Sequence, residues 1–142
     1  MTKILVTGGM GFIGSNFIRY ILNLNKDYKV INLDKLTYAG NPENLNEIDK
    51  KFPQNYKFYK VDICDFEAVN EIVAKEKVNF IVNFAAESHV DRSIDNPSIF
   101  SNTNIIGTQT LLNVARKNKT MKLTLSLATI SLTALKSQIS TL

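Results

Sequence analysis

Tryptophan is absent from the 142 residues, and cysteine and histidine occur once each. A single cysteine excludes an internal disulfide framework, and Cys64 reads as a small buried apolar residue in a reducing cytoplasmic setting. With His89 as the one histidine, no His/Cys cluster has metal-ligand spacing, so no metal site is expected. No apolar run reaches the length of a membrane span, and the chain opens on a strand pattern rather than a signal peptide. Charge of one sign is scarce too. The net charge of +4 is dispersed among acids, and Lys50-Lys51 and Arg116-Lys117-Asn118-Lys119 read as solvated helix ends, not as a nucleic-acid footprint. What remains is an ordinary globular composition, 44% hydrophobic and 21% charged. A single domain of this length buries about 68–70% of its unfolded surface.

Against that plain background, residues 3–14 stand out: Lys-Ile-Leu-Val-Thr-Gly-Gly-Met-Gly-Phe-Ile-Gly. A short apolar run ends in a glycine-rich turn, and a helical pattern starts at once. Gly8 permits the tight turn off the strand. Gly11 lets the main chain approach phosphates, and Gly14 lets the helix pack closely on a sheet. Unpaired N–H groups at the helix start then face an anion, aided by the helix dipole. Asp34 lies twenty residues past Gly14, at the end of a second apolar run, Lys29-Val30-Ile31-Asn32-Leu33. A carboxylate there accepts hydrogen bonds from adenosine ribose hydroxyls and repels a 2′-phosphate. Together these features point to NAD, with NADP as the alternative because Lys35 follows directly.

Strand and helix patterns alternate as far as residue 119, which predicts an α/β fold: a doubly wound parallel sheet with helices on both faces. Strands are expected at Lys3–Thr7, up to Asp34, at Tyr56–Val61 and at Asn79–Phe84. The first helix runs to about Leu24 with Phe12, Phe17, Ile18, Ile21 and Leu22 inward. Asn41-Pro42 and Asp65 read as helix caps, and the latter helix carries Phe66, Val69, Ile72 and Val73 on one stripe. Asn96-Pro97 opens a long helix to about Asn118, with Phe100, Ile105, Leu111, Leu112 and Val114 as core candidates. From Thr120 the composition changes: every acid, glycine, proline and aromatic residue precedes it. Met121–Ile130 alternates like a strand, but its second face is Thr and Ser, unlike a central parallel strand. Residues 120–142 therefore read as an atypical tail, a truncated or frame-altered end. Without it the fourth strand is left as an aggregation-prone edge unless the tail pairs there.

Thr7-Gly8-Gly9-Met10-Gly11-Phe12-Ile13-Gly14 resembles the opening of the extended short-chain dehydrogenase/reductase superfamily. Asp34-Lys35-Leu36-Thr37-Tyr38-Ala39-Gly40-Asn41 and Ala85-Ala86-Glu87-Ser88-His89-Val90-Asp91-Arg92-Ser93 narrow the resemblance to dTDP-glucose 4,6-dehydratases, over residues 2 to about 118. Asp62-Ile63-Cys64-Asp65 and Thr103-Asn104-Ile105-Ile106-Gly107-Thr108 fit as well. The resemblance implies a Rossmann fold holding NAD, here cut short after four to five strands. It implies cofactor contacts at Phe12 and Ile13 in the phosphate turn, and at Asp34, Lys35, Leu36 and Thr37 along the ribose. Asp62 and Ile63 would flank adenine; Phe84, Ala85, Ala86 and Ser88 would line the nicotinamide, and Thr103 would reach the cofactor from the long helix. Ser88 also faces the sugar, and His89 is a candidate substrate contact or a structural group. Glu87 and Asp91 can be taken for an acid/base pair, whereas Asp91 and Arg92 fit better as hydrogen-bonding groups that hold the loop.

The same resemblance implies a hydro-lyase of deoxysugar biosynthesis that converts dTDP-glucose to its 4-keto-6-deoxy product, works as a homodimer, and regenerates its NAD in each turnover. Its tyrosine, the lysine four residues later, and a Thr-Asp-Glu run are not securely matched. Tyr56 and Lys60 have the spacing but sit on a predicted strand, where four residues separate them by about 13 Å. Ile139-Ser140-Thr141 is followed by Leu142 instead of aspartate. No catalytic residue is therefore assigned, the C-terminal substrate domain is missing from the pattern, and the chain as written is expected to be inactive. The alternatives are a short NAD-binding module without catalysis and a fragment of a nucleotide-sugar epimerase or decarboxylase. Reading the coding DNA beyond codon 119 in all frames separates them: a frame encoding Ser-Thr-Asp-Glu and Tyr-x-x-x-Lys marks an interrupted dehydratase, and a stop with no such frame marks a short module.

Overall fold

Three strands in this chain are apolar at consecutive positions, and a strand that buries both faces must lie inside a sheet covered on both sides. The computed structural model describes residues 1–87, 97–118 and 123–126. The chain order is β1 (Thr2–Thr7), α1 (Phe12–Leu24), β2 (Tyr28–Asp34), a 3-10 turn (Pro42–Leu45), α2 (Asn46–Lys51), β3 (Tyr56–Lys60), α3 (Phe66–Glu76) and β4 (Phe80–Asn83). A long helix follows in three parts, α4 (Pro97–Phe100), a π turn (Ser101–Gly107) and α5 (Thr108–Lys117), and then comes β5 (Leu123–Ser126). The five strands are all parallel, in the order β3-β2-β1-β4-β5.

Pleating divides the strand side chains between two cores. Ile4 and Val6 of β1, Val30 of β2 and Val82 of β4 pack with Phe17, Ile18, Ile21 and Leu22 of α1. Leu5, Ile31, Leu33 and Ile81 face the other way, onto Val69, Ile72 and Val73 of α3 and Leu111 and Val114 of α5. Full burial of each such aliphatic side chain contributes about 1.5–3 kcal/mol. The expected caps form: Asn41 accepts the Glu43 N–H and Asp65 accepts the Ala68 N–H, at 3.0 and 3.1 Å.

Three core expectations fail. Phe12 is 82% exposed, because it stands at the first position of α1, above the sheet edge. Ile105 and Leu112 are 62% and 52% exposed. Both lie on the face of the long helix that turns away from the buried Leu111 and Val114. The buried stripe is Gly107, Thr110, Leu111 and Val114, with Leu111 and Val114 as expected. Cys64 is only partly buried; its thiol, pushed up by burial, donates to the Asn102 carbonyl at 3.3 Å. The tail contributes β5, which pairs with β4 in the register Phe80↔Leu123 to Asn83↔Ser126, so β4 is not the sheet edge.

At the amino ends of the strands a nearly buried carboxylate collects cations. Glu76 takes Lys57 at 2.7 Å, the Tyr59 hydroxyl at 2.6 Å and Lys29 at 3.5 Å, while Lys3 donates to its carbonyl at 2.6 Å. Burial opposes ionisation of Glu76, but the bonds from Lys57 and Tyr59 and the charge of Lys29 outweigh it, holding its pKa at about 2 against 4.5. The folded-state value lies below the unfolded one, so this stabilisation is complete above about pH 4.5 and is lost as pH falls toward 2. Urea unfolding should show Glu76→Ala less stable by roughly 1–3 kcal/mol at pH 7. Glu76→Gln should flatten the decline in stability between pH 4.5 and 2 that the unsubstituted chain displays.

Candidate functional site

Parallel strands deliver their carboxyl ends to one edge, and the order β2-β1-β4 places a crossover reversal between β1 and β4. In open α/β sheets that is where ligands bind. The loops leaving β1, β2 and β4, together with the π turn, enclose a cavity of ≈ 600 Å³ there.

The turn after β1 is shaped by contact with the β4 loop. Gly8 has φ +65°, and a Cβ on it would lie 2.6 Å from the Ala85 nitrogen. A side chain at Gly14 would run into the Gly8 carbonyl, whereas at Gly11 it would meet that carbonyl at 3.3 Å and the Ala39 carbonyl at 4.0 Å, beside the cavity that Gly11 lines. Within α1 the Ser15 N–H reaches the Gly11 carbonyl at 3.0 Å. The amides of Phe12, Ile13 and Gly14 precede that bond and have no intrahelical acceptor. No side chain caps Gly11, and the first turn holds no acid. Gly11 lines the cavity, whereas Phe12, Ile13 and Gly14 are not among its lining residues, and the Phe12 and Ile13 side chains are 82% and 54% exposed.

Asp34, 8% exposed, ends β2 at the cavity. Its carboxylate accepts the Met10 N–H at 2.9 Å and the Leu36 N–H at 2.8 Å. These bonds tie the phosphate turn to the β2 loop and aim the carboxylate. A carboxylate has about four lone-pair directions, so about two remain for another partner. Leu36 is held at φ +56° and packs toward the α1-side core, not into the cavity. Lys35 and Thr37 line it, as do Asp62 and Ile63. The Lys35 ammonium sits 2.5 Å from Asp62 Oδ2, and Asp62 Oδ1 accepts the Cys64 N–H at 3.0 Å. Hydrogen bonding to Asp62 raises the Lys35 pKa. Burial pushes Asp62 up, but Lys35 and the Cys64 amide outweigh it and lower its pKa.

Opposite lie Phe84, Ala85 and Ala86, with Thr103 reaching in from the π turn. Phe84 stacks at a tilt on Phe17 of α1, ring centroids 5.1 Å apart. Ala85 donates to Thr7 Oγ1 at 3.4 Å, and Thr7 in turn donates to the Asn83 amide oxygen. Ser88 and His89, and Asp91 and Arg92 beside them, lie outside the described residues. Two parts of the site escaped the sequence reading. Asn104 clamps the Glu87 main chain, accepting its N–H at 2.8 Å and donating to its carbonyl at 3.0 Å. Tyr38 donates to Glu87 Oε2 at 3.2 Å, bridging the β2 and β4 loops. Both fall within the runs that carry the family resemblance, Asp34–Asn41 and Thr103–Thr108, but neither is assigned a role there. Tyr56, by contrast, is buried on β3, where its hydroxyl accepts the Asn32 side-chain N–H at 2.9 Å, far from any role as a base. Among the described residues no three His, Cys, Asp or Glu side chains gather as a metal site, and no helix is long and apolar enough to cross a membrane.

The model of the family described as GDP-mannose 4,6 dehydratase matches residues 5–131. The chain belongs to that family. Among relatives, it is 56% identical over 115 residues to the dTDP-glucose 4,6-dehydratase of Escherichia coli, covering 81% of this chain and 31% of that one. The structure of dTDP-glucose 4,6-dehydratase from Streptomyces venezuelae, solved with NAD bound, is 44% identical with a TM-score of 0.77, covering 86% of this chain and 38% of the other. UDP-glucose 4-epimerase from Thermotoga maritima, solved with UDP-glucose, is 34% identical with a TM-score of 0.74, covering 86% and 36%. The chain thus spans about a third of the length of the dehydratases it matches. In this family member the glycines of the turn differ in what they tolerate. Chemical unfolding should find Gly8→Ala destabilised by about 2 kcal/mol or more, from left-handed strain plus backbone overlap. Gly11→Ala should cost less than about 1 kcal/mol.

Proposed function

We propose that this chain binds NAD and forms the cofactor-holding part of a dTDP-glucose 4,6-dehydratase. One observation carries the reading: a single cavity is lined by Gly8 and Gly11, the residues that lead into the uncapped start of α1, and by the anchored Asp34 carboxylate. The residues present fit a dinucleotide. A volume of ≈ 600 Å³ falls within the roughly 300–1,000 Å³ of small-molecule sites, and the open side of Gly11 leaves room for backbone–phosphate approach.

In this reading the amides of Phe12, Ile13 and Gly14 hold the pyrophosphate, and Asp34 accepts from the ribose hydroxyls, with Lys35, Leu36 and Thr37 alongside. Asp62 and Ile63 flank the adenine. Phe84, Ala85, Ala86, Ser88 and Thr103 surround the nicotinamide, where small side chains leave space for a planar ring. When bound, NAD supplies a hydride acceptor that can return the hydride within one turnover. The chain's own residues orient the ring and close the β4 loop against water through Asn104 and Tyr38. Ser88 and His89 stand next in sequence to meet the sugar of dTDP-glucose. Identity of 44% to a dehydratase structure against 34% to an epimerase structure supports the dehydratase over the epimerase reading, as does the Ala-Ala-Glu-Ser-His-Val-Asp-Arg-Ser run.

The 142-residue chain is expected to bind NAD in calorimetry without converting dTDP-glucose, since its single Tyr-x-x-x-Lys pair, Tyr56 and Lys60, occupies β3. Asp34→Ala should weaken NAD by roughly 1.5–3 kcal/mol, the worth of a hydrogen bond to a charged group. A melting curve run alongside separates lost ribose contacts from a loosened Met10 loop. Folded protein that ignores NAD refutes the cofactor reading, and formation of the 4-keto-6-deoxy product refutes the assignment of this chain as catalytically incomplete.

A further inference from the structure

Asp34 disfavours a 2′-phosphate by charge, yet Lys35 is adjacent, lines the same cavity, and is the one cation doing so among the described residues. A free lysine there would attract the phosphate that Asp34 repels. The Lys35 side chain is 61% exposed, but its ammonium is not free: it rests 2.5 Å from Asp62 Oδ2. Asp62 cannot readily turn away, because its other oxygen accepts the Cys64 N–H at 3.0 Å.

We propose that Asp62 sets the choice between NAD and NADP by tethering Lys35, so that the cavity's cation is spent on a carboxylate and not offered to a 2′-phosphate. The proposal rests on the NAD reading above and deepens it. An isolated exposed ion pair contributes little, and a phosphate dianion could compete for the lysine. Here the competition has a further cost. Drawing Lys35 off Asp62 would leave Asp34, Asp62 and Glu87 as three unneutralised carboxylates lining the cavity that holds the added dianion. The raised pKa of Lys35 and lowered pKa of Asp62 agree with a pair that is ionised on both sides.

Calorimetric titration of the full chain with NAD and with NADP tests this in four proteins: unsubstituted, Asp62→Asn, Lys35→Met and the double variant. Asparagine keeps an acceptor for the Cys64 N–H while removing the charge. Asp62→Asn should tighten NADP relative to NAD by roughly tenfold or more, the scale of a charge-assisted hydrogen bond to phosphate. Adding Lys35→Met should erase that gain. Lys35→Met alone should not tighten NADP relative to NAD, because it leaves the Asp62 carboxylate without its cation. An unchanged ratio in Asp62→Asn with NAD still bound overturns the tether alone, as does a gain in Asp62→Asn that persists when Lys35→Met is added. If folded, unsubstituted protein binds neither nucleotide, the NAD reading falls and the tether falls with it.

Discussion

The approach of two main chains at the end of β1 constrains most of what surrounds it. β1 and β4 pair through Thr7 and Asn83, and just beyond them Gly8 and the Phe84–Ala85 peptide come so near that no side chain fits between them. The turn must therefore be left-handed and side-chain-free at Gly8, which swings the chain directly into α1. Thr7 completes the junction from inside, joined to both Asn83 and the Ala85 amide. The helix start, the β4 loop and the cavity between them are consequences of this one contact.

Charged residues at the two ends of the sheet do different work. At the amino end Glu76 is encircled by Lys29, Lys57 and Tyr59, every partner close and satisfied, so the cluster is structural. At the carboxyl end the carboxylates are held by backbone amides, Asp34 by Met10 and Leu36 and Asp62 by Cys64. Such anchoring orients an acid without using all its acceptor capacity. Uncapped donors at the start of α1 add the complementary half. The polarity of a parallel sheet thus separates a charge cluster that stabilises from one that can bind.

The π turn in the long helix links fold to site. It carries Thr103 to the cavity and Asn104 to the Glu87 main chain, and it packs Gly107 against Ile63. Ile105 lies on the side of the helix away from Leu111 and Val114. The turn leaves it in solvent and uses Asn104 to hold the β4 loop. Such turns often accompany functional sites, because the added residue re-aims side chains that a regular helix would stack.

By itself the sequence determined the alternation of strands and helices, the two-faced burial of β1 and β2, the caps at Asn41 and Asp65, and the glycine turn with Asp34 beyond it. Each is a local matter of periodicity, backbone freedom or a side chain bonding its own neighbours, which a linear pattern records. Only the tertiary structure decided that residues 123–126 close the open side of β4, that Phe12, Ile105 and Leu112 face outward, and that Lys35 is paired with Asp62. It also decided that Asn104 and Tyr38 grip Glu87. Those outcomes depend on groups far apart in the chain meeting across loops and sheet edges, which no spacing rule along the sequence encodes.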